Sequence, residues 1–139
     1  MKFNLRNISL FLLMVACACC TNRQSKTVSD EMLVSAADHP EEWLTHGLNY
    51  AEDRFSPLKE VTKDNVTSLG LAWVTDLGSK RGLEATPLIA GGVMYLSGTW
   101  SNVYALNAAT GEQIWKYDPK VPGAQAERLC CDVVNRGVA

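Results

Sequence analysis

Apolar and polar positions divide the chain into three stretches. Ile8 to Ala16 is a nine-residue, largely apolar run behind Lys2 and Arg6. Residues 21–38 are polar and lack clear periodicity, with a helical turn expected around Glu31 to Ala37. From Gly70 onward, apolar runs of strand length recur: Gly70 to Leu77, Pro87 to Ala90, Val93 to Ser97, Val103 to Leu106 and Glu112 to Tyr117. Gly91-Gly92 between two β-rich runs predicts a tight hairpin. The segment Asn107 to Gly111 predicts a second hairpin with a longer turn. There the Asn107 and Thr110 side chains can bond turn backbone, and Gly111 can take positive φ. One strand followed by two hairpins is an all-β pattern. Upstream, Pro40 suits the first turn of a short helix through Glu41 and Leu44, with Asp38 or His39 as its cap. Phe55-Ser56-Pro57 reads as a turn, and Asp64 as the cap of a short helix from Asn65 to Leu69.

The first stretch reads as an address. A positive start, an apolar core of about 7–15 residues and a small-residue zone describe a secretory signal. Here that zone is Ala16-Cys17-Ala18-Cys19-Cys20. Residues 1–20 are therefore expected to be the signal, 21–38 a polar linker and 39–139 the folded part. Met14-Val15-Ala16-Cys17 also resembles a bacterial lipoprotein cleavage box with Cys17 as the lipidated residue, although Leu is commoner where Met14 stands. Lipidation would anchor the mature chain to a membrane. With or without it, the expected location is oxidising, the periplasm. No apolar run reaches the ~18 residues a membrane span needs.

Spacing separates the all-β candidates. Trp73 and Trp115 stand 42 residues apart, each with an aspartate three positions on, Asp76 and Asp118. A period of about 40–50 residues with four strands per unit marks a propeller blade. Such blades bury their faces only against neighbours, so a propeller needs several. The 139 residues hold one blade or a little more, and the last five read as mid-strand, so the chain is expected to begin a longer protein.

Composition narrows the function. A net charge of -2 argues against a nucleic-acid partner. An apolar fraction of 47% is too high for a disordered chain. No phosphate-binding glycine loop, serine nucleophile elbow or haem-attachment motif occurs. His39 and His46, the only histidines, lack zinc-site spacing and suit surface or capping roles.

The segment Ala105-Leu106-Asn107-Ala108-Ala109-Thr110-Gly111-Glu112-Gln113-Ile114-Trp115 resembles the tryptophan-docking motif of the eight-bladed quinoprotein dehydrogenases. Asn107 stands where that motif usually has aspartate. Cys130-Cys131-Asp132-Val133-Val134-Asn135-Arg136-Gly137 is similar to the vicinal-cysteine segment of alcohol dehydrogenases that depend on pyrroloquinoline quinone (PQQ). Asn49 to Leu58, Leu71-Ala72-Trp73 and Glu84 to Leu88 resemble further segments of that family. The resemblance covers about residues 40–139. It implies the first blade or so of an eight-bladed β-propeller, preceded by a signal peptide and short helices. It implies an oxidoreductase that passes hydride from an alcohol to PQQ and electrons on to a cytochrome c-type acceptor. Alcohol is favoured over aldose sugar because the vicinal cysteines are typical of the alcohol and methanol branches.

The same resemblance assigns cofactor contacts to Glu84, Cys130, Cys131 and Arg136. Arginine is a planar, permanently charged donor suited to a tricarboxylate quinone. On the residues alone, Arg136 can equally be a surface ion-pair member, Glu84 can pair with Lys80 or Arg81, and Asp132 can be a turn acceptor. Adjacent cysteines sit about 3.8 Å apart at Cα, below the usual disulfide range. A Cys130–Cys131 bond would close a strained eight-membered ring and no loop, so it would serve as a flat surface or a labile redox pair. Two reduced, buried cysteines are the alternative; the family implies the ring, stacked on the quinone. Trp73 and Trp115 are expected to dock blades, and Trp100 to pack. Ca²⁺ or another metal and an aspartate base are implied from later blades, with no ligand among these residues, so the chain alone is expected to be inactive. Two competing readings are a non-catalytic propeller lipoprotein scaffold, for which the cysteine pair has no use, and a non-folding remnant.

Overall fold

The computed structural model describes residues 27–139. The expected signal, Cys17 and the first part of the linker lie outside the described residues. Four strands form: β1 (Leu88–Ala90), β2 (Val93–Ser97), β3 (Val103–Asn107) and β4 (Gln113–Tyr117). They pair antiparallel in the order β1-β2-β3-β4, so the two expected hairpins are halves of one meander. Gly91 and Gly92 take φ of 59° and 75°, the two positive angles of a type I′ turn, which follows the natural twist of paired strands. At the β3–β4 turn the Asn107 side-chain oxygen accepts from the N–H groups of Ala109 and Thr110 at 2.9 and 3.2 Å. Gly111 closes that turn at φ 72°. The β3–β4 ladder slips at Ala105/Leu106, where Ile114 has no partner.

Leu96, Tyr104 and Leu106 form the core, with Leu77 and Met94 packed against it. Burying a side chain of this kind contributes about 1.5–3 kcal/mol. The Tyr104 hydroxyl donates to the Leu77 carbonyl at 3.1 Å, so its polar tip is satisfied inside the apolar cluster.

Three expected elements differ. Residues 70–77 alternate like a strand, with Trp73, Thr75 and Leu77 turned inward, but have no ladder partner. They are held by side chains instead. Trp73 Nε1 donates to the Ala108 carbonyl at 3.2 Å, and the Thr75 hydroxyl donates to that of Gly111. Residues 41–44 are a turn and a bridge, not a helix. Trp43 exchanges both backbone hydrogen bonds with Ile89 at 2.9 Å, while the buried Glu42 carboxylate accepts from Gly91 N–H at 2.9 Å. Those pairings outcompete a local cap; His39 instead ends the 3₁₀ turn Ala36–Asp38. The expected helix to Leu69 shrinks to a 3₁₀ turn, Val66–Ser68. Asn65 rather than Asp64 stands at its N-cap, with no side-chain cap bond; its side chain instead accepts from Thr62 N–H and donates to the Glu60 carbonyl. Within the linker, α1 (Asp30–Val34) is capped by Ser29, whose hydroxyl accepts from Met32 N–H at 3.4 Å.

Candidate functional site

After β4 the chain passes a 3₁₀ segment, Gly123–Arg128, and turns back past the β2–β3 connection. Two contacts fix this return. Val133 is 2% exposed and its carbonyl accepts from Trp100 N–H at 2.8 Å; Asn135 donates to the Ser101 hydroxyl at 3.2 Å. Val133 is the one buried residue in a segment whose preceding residues, Cys130 to Asp132, are exposed.

The cysteines are unbonded here, with Sγ atoms 2.7 Å apart and facing one another. A trans peptide holds the Cα atoms of neighbouring cysteines closer than a relaxed disulfide requires, so the ring that the resemblance implies is a strained one. Hydrogen bonding to Cys130 pushes the Cys131 thiol up from its ordinary range, with burial adding to the effect. The Arg136 charge pulls it down and the Glu84 charge pushes it up.

That pair of charges is itself an ion pair. Arg136 Nε donates to Glu84 Oε2 at 3.1 Å across 52 residues of sequence. Glu84 therefore does not pair with Lys80 or Arg81. Arg81 instead binds the Asp132 carboxylate, and its guanidinium lies 5.9 Å from the Trp100 ring centre. Asp132 also accepts from Val133 N–H at 2.7 Å. Of these charges, Arg136 and Glu84 act on the Cys131 sulfur in opposite directions. Asp132 (φ 69°), Trp100 (φ 59°) and Ser101 (φ 56°) all sit in the left-handed region, a strain that concentrates at functional sites.

The four residues expected at the site, Glu84, Cys130, Cys131 and Arg136, come together on one open face. Arg136 spends only its Nε on Glu84, which leaves its two Nη groups as donors for a planar carboxylate or quinone. The donor chemistry therefore fits PQQ. It does not supply a metal: among the described residues no three His, Cys, Asp or Glu side chains converge. A neighbouring cavity of about 270 Å³ is lined by Leu77, Arg81, Trp100, Tyr104 and Lys116. Arg81 was not assigned from the sequence, because its partner lies 51 positions away and no local motif marks the pair. Trp73 docks against the β3–β4 turn, as expected of a blade-docking residue. Trp115 lies on the exposed strand β4, tilted against Tyr95 at 6.1 Å, and 44% of it is exposed.

Comparison with known proteins identifies the family and the fold. Residues 43–139 match the family described as PQQ, glucose/ethanol/alcohol dehydrogenase, β-propeller domain. The chain is 55% identical over 111 residues to a quinohemoprotein alcohol dehydrogenase of Pseudomonas putida, covering 79% of this chain and 16% of that protein. It is 53% identical over 98 residues to a 1-butanol dehydrogenase (cytochrome c) of Thauera butanivorans, covering 70% and 14%. Among solved structures, a second quinohemoprotein alcohol dehydrogenase of P. putida superposes with a TM-score of 0.80 at 47% identity, covering 83% of this chain and 17% of that one. A europium-containing methanol dehydrogenase superposes at 0.69 with 36% identity, covering 79% and 20%. The chain thus spans only about a sixth of the curated relatives it matches. The chain, whose four-stranded meander is consistent with part of a propeller, therefore belongs to the PQQ β-propeller family of glucose, ethanol and alcohol dehydrogenases.

Proposed function

We propose that the chain is the amino-terminal part of a PQQ-dependent alcohol dehydrogenase, an oxidoreductase that oxidises an alcohol and passes electrons to a cytochrome c-type acceptor. The observation that carries this reading is the convergence of Glu84, Cys130, Cys131 and Arg136 on one face. PQQ, when bound, supplies the hydride acceptor. Arg136 holds its carboxylate or quinone oxygens through the free Nη groups. Glu84 fixes the arginine through Nε. The exposed sulfurs of Cys130 and Cys131 offer a flat surface to a planar ring, as two thiols or as the vicinal disulfide. The names of the relatives, alcohol dehydrogenases and a cytochrome c-linked 1-butanol dehydrogenase, support the substrate and the acceptor. Ca²⁺ or another metal belongs to this reading through the family. The same proposal puts the protein in the periplasm, with residues 1–20 as the export signal and Cys17 as a candidate lipid anchor.

The test is titration of PQQ into the full-length polypeptide prepared without it, followed by calorimetry. Saturable binding is expected, and Arg136→Ala weakens it roughly 10- to 100-fold, the worth of a hydrogen bond to a charged group. A folded protein that binds no PQQ sinks the reading and favours the scaffold.

A further inference from the structure

We propose that Arg81 and Asp132 form a clamp that positions the Cys130–Cys131 pair, with Arg81 as a positioning residue rather than a catalytic one. Asp132 directly follows Cys131, so the backbone angle at Asp132 sets the direction of the peptide that joins them. That angle is left-handed, at φ 69°. Such a conformation persists only when its surroundings hold it. Three contacts do so. The Asp132 carboxylate takes Val133 N–H at 2.7 Å and the Arg81 guanidinium, and Val133 is itself buried and bonded to Trp100 N–H. Arg81 then reaches the Trp100 ring, on a residue that is also left-handed. One guanidinium therefore ties both strained residues together, although Arg81 lies 51 positions before Asp132 in the chain. The cysteines emerge from this tie with their sulfurs facing. Arg136, by contrast, is engaged by Glu84 and takes no part in it.

The consequence is redox preference. A clamp that keeps two thiols facing favours the oxidised pair. In that reaction both thiols lose a proton and together two electrons, a bond forms between the Sγ atoms, and glutathione disulfide is cleaved to two glutathione thiols. The measurement is the equilibrium constant for this exchange in the full-length protein without PQQ, read by alkylation and mass spectrometry of the peptide carrying Cys130 and Cys131. Arg81→Met and Asp132→Asn are each expected to lower the constant roughly three- to tenfold, the scale of a half-exposed ion pair plus the strain it holds. Asparagine tolerates the left-handed region, so Asp132→Asn removes charge without disturbing the backbone, and it carries the test if Arg81→Met does not fold. The double variant falls no further than either single one. A shift under twofold in the single variants, or fully additive losses, overturns the clamp. The proposal extends the PQQ reading, but its measurement contains no PQQ. A shifted constant in a protein that binds no PQQ removes only that reading, and an unshifted constant in a protein that binds PQQ removes only the clamp.

Discussion

Gly111→Ala probes the docking of Trp73 directly. Two effects add. The first is backbone: Gly111 sits at φ 72°, where an alanine Cβ costs about 1–2 kcal/mol. The second is contact. A Cβ there would press on Cε3 of the Trp73 ring and lie 2.6 Å from its Cδ2 and 2.7 Å from the Thr75 hydroxyl oxygen. The rigid indole must move, which strains the packing by about 1–3 kcal/mol. Moving it also breaks the bond from Nε1 to the Ala108 carbonyl, worth about 1 kcal/mol. The expected loss is therefore about 3–6 kcal/mol. Gly92→Ala is the control, because Gly92 has φ 75° and nothing within 4 Å of an added Cβ. It should lose only the backbone part. The assay is urea unfolding of the full-length polypeptide, comparing midpoints at equal slope. Losses for the two alanines that agree within about 1 kcal/mol would show that the indole does not bear on the turn, and the docking argument would fail.

The other predictions concern Glu42 and Cys131. Glu42→Ala strips the acceptor from the Gly91 N–H and should cost about 1.5–3 kcal/mol in the same unfolding assay. Glu42→Gln should recover part of it, and a loss below about 0.5 kcal/mol would contradict the role. In the reduced protein, iodoacetamide should alkylate Cys131 with a pH midpoint above the ordinary cysteine range, because Cys130 and Glu84 favour its protonated form. A raised folded value means that the thiol's contribution to stability is whole below the unfolded value and fades as pH rises through the folded one. Glu84→Gln should lower the midpoint and Arg136→Gln should raise it. A wild-type midpoint at or below the ordinary range contradicts the assignment.

What was legible in the sequence was what neighbouring residues decide. Gly91-Gly92 specifies a two-residue turn by its own backbone freedom, and Asn107 and Thr110 specify theirs by side-chain bonds within five residues, with Gly111 supplying the positive φ. The site residues were visible through resemblance because the cysteines and Arg136 lie in one short segment. Whatever depends on distant partners stayed hidden. Trp43 looked helical beside Pro40 because its real partner, Ile89, is 46 residues on. Residues 70–77 showed the alternation of a strand, but alternation reports which side faces inward and not whether a ladder exists. Arg81 looked like a partner for Glu84, three positions away, until the return of the chain brought Asp132 to it.

The bridge at Trp43 has a consequence for self-association. Any sheet border with unpaired amide and carbonyl groups is a template for a stray strand. Along β1 the chain shields that border with its own backbone at Ile89, while Glu42 occupies the N–H at the hairpin tip. The opposite border, β4, has no such shield among the described residues and every one of its residues is exposed, with Lys116 as its one charge. A proteolytic cut between Glu42 and the sheet would therefore strip the first border and leave a species with two adhesive sides, able to grow into fibres rather than merely pair.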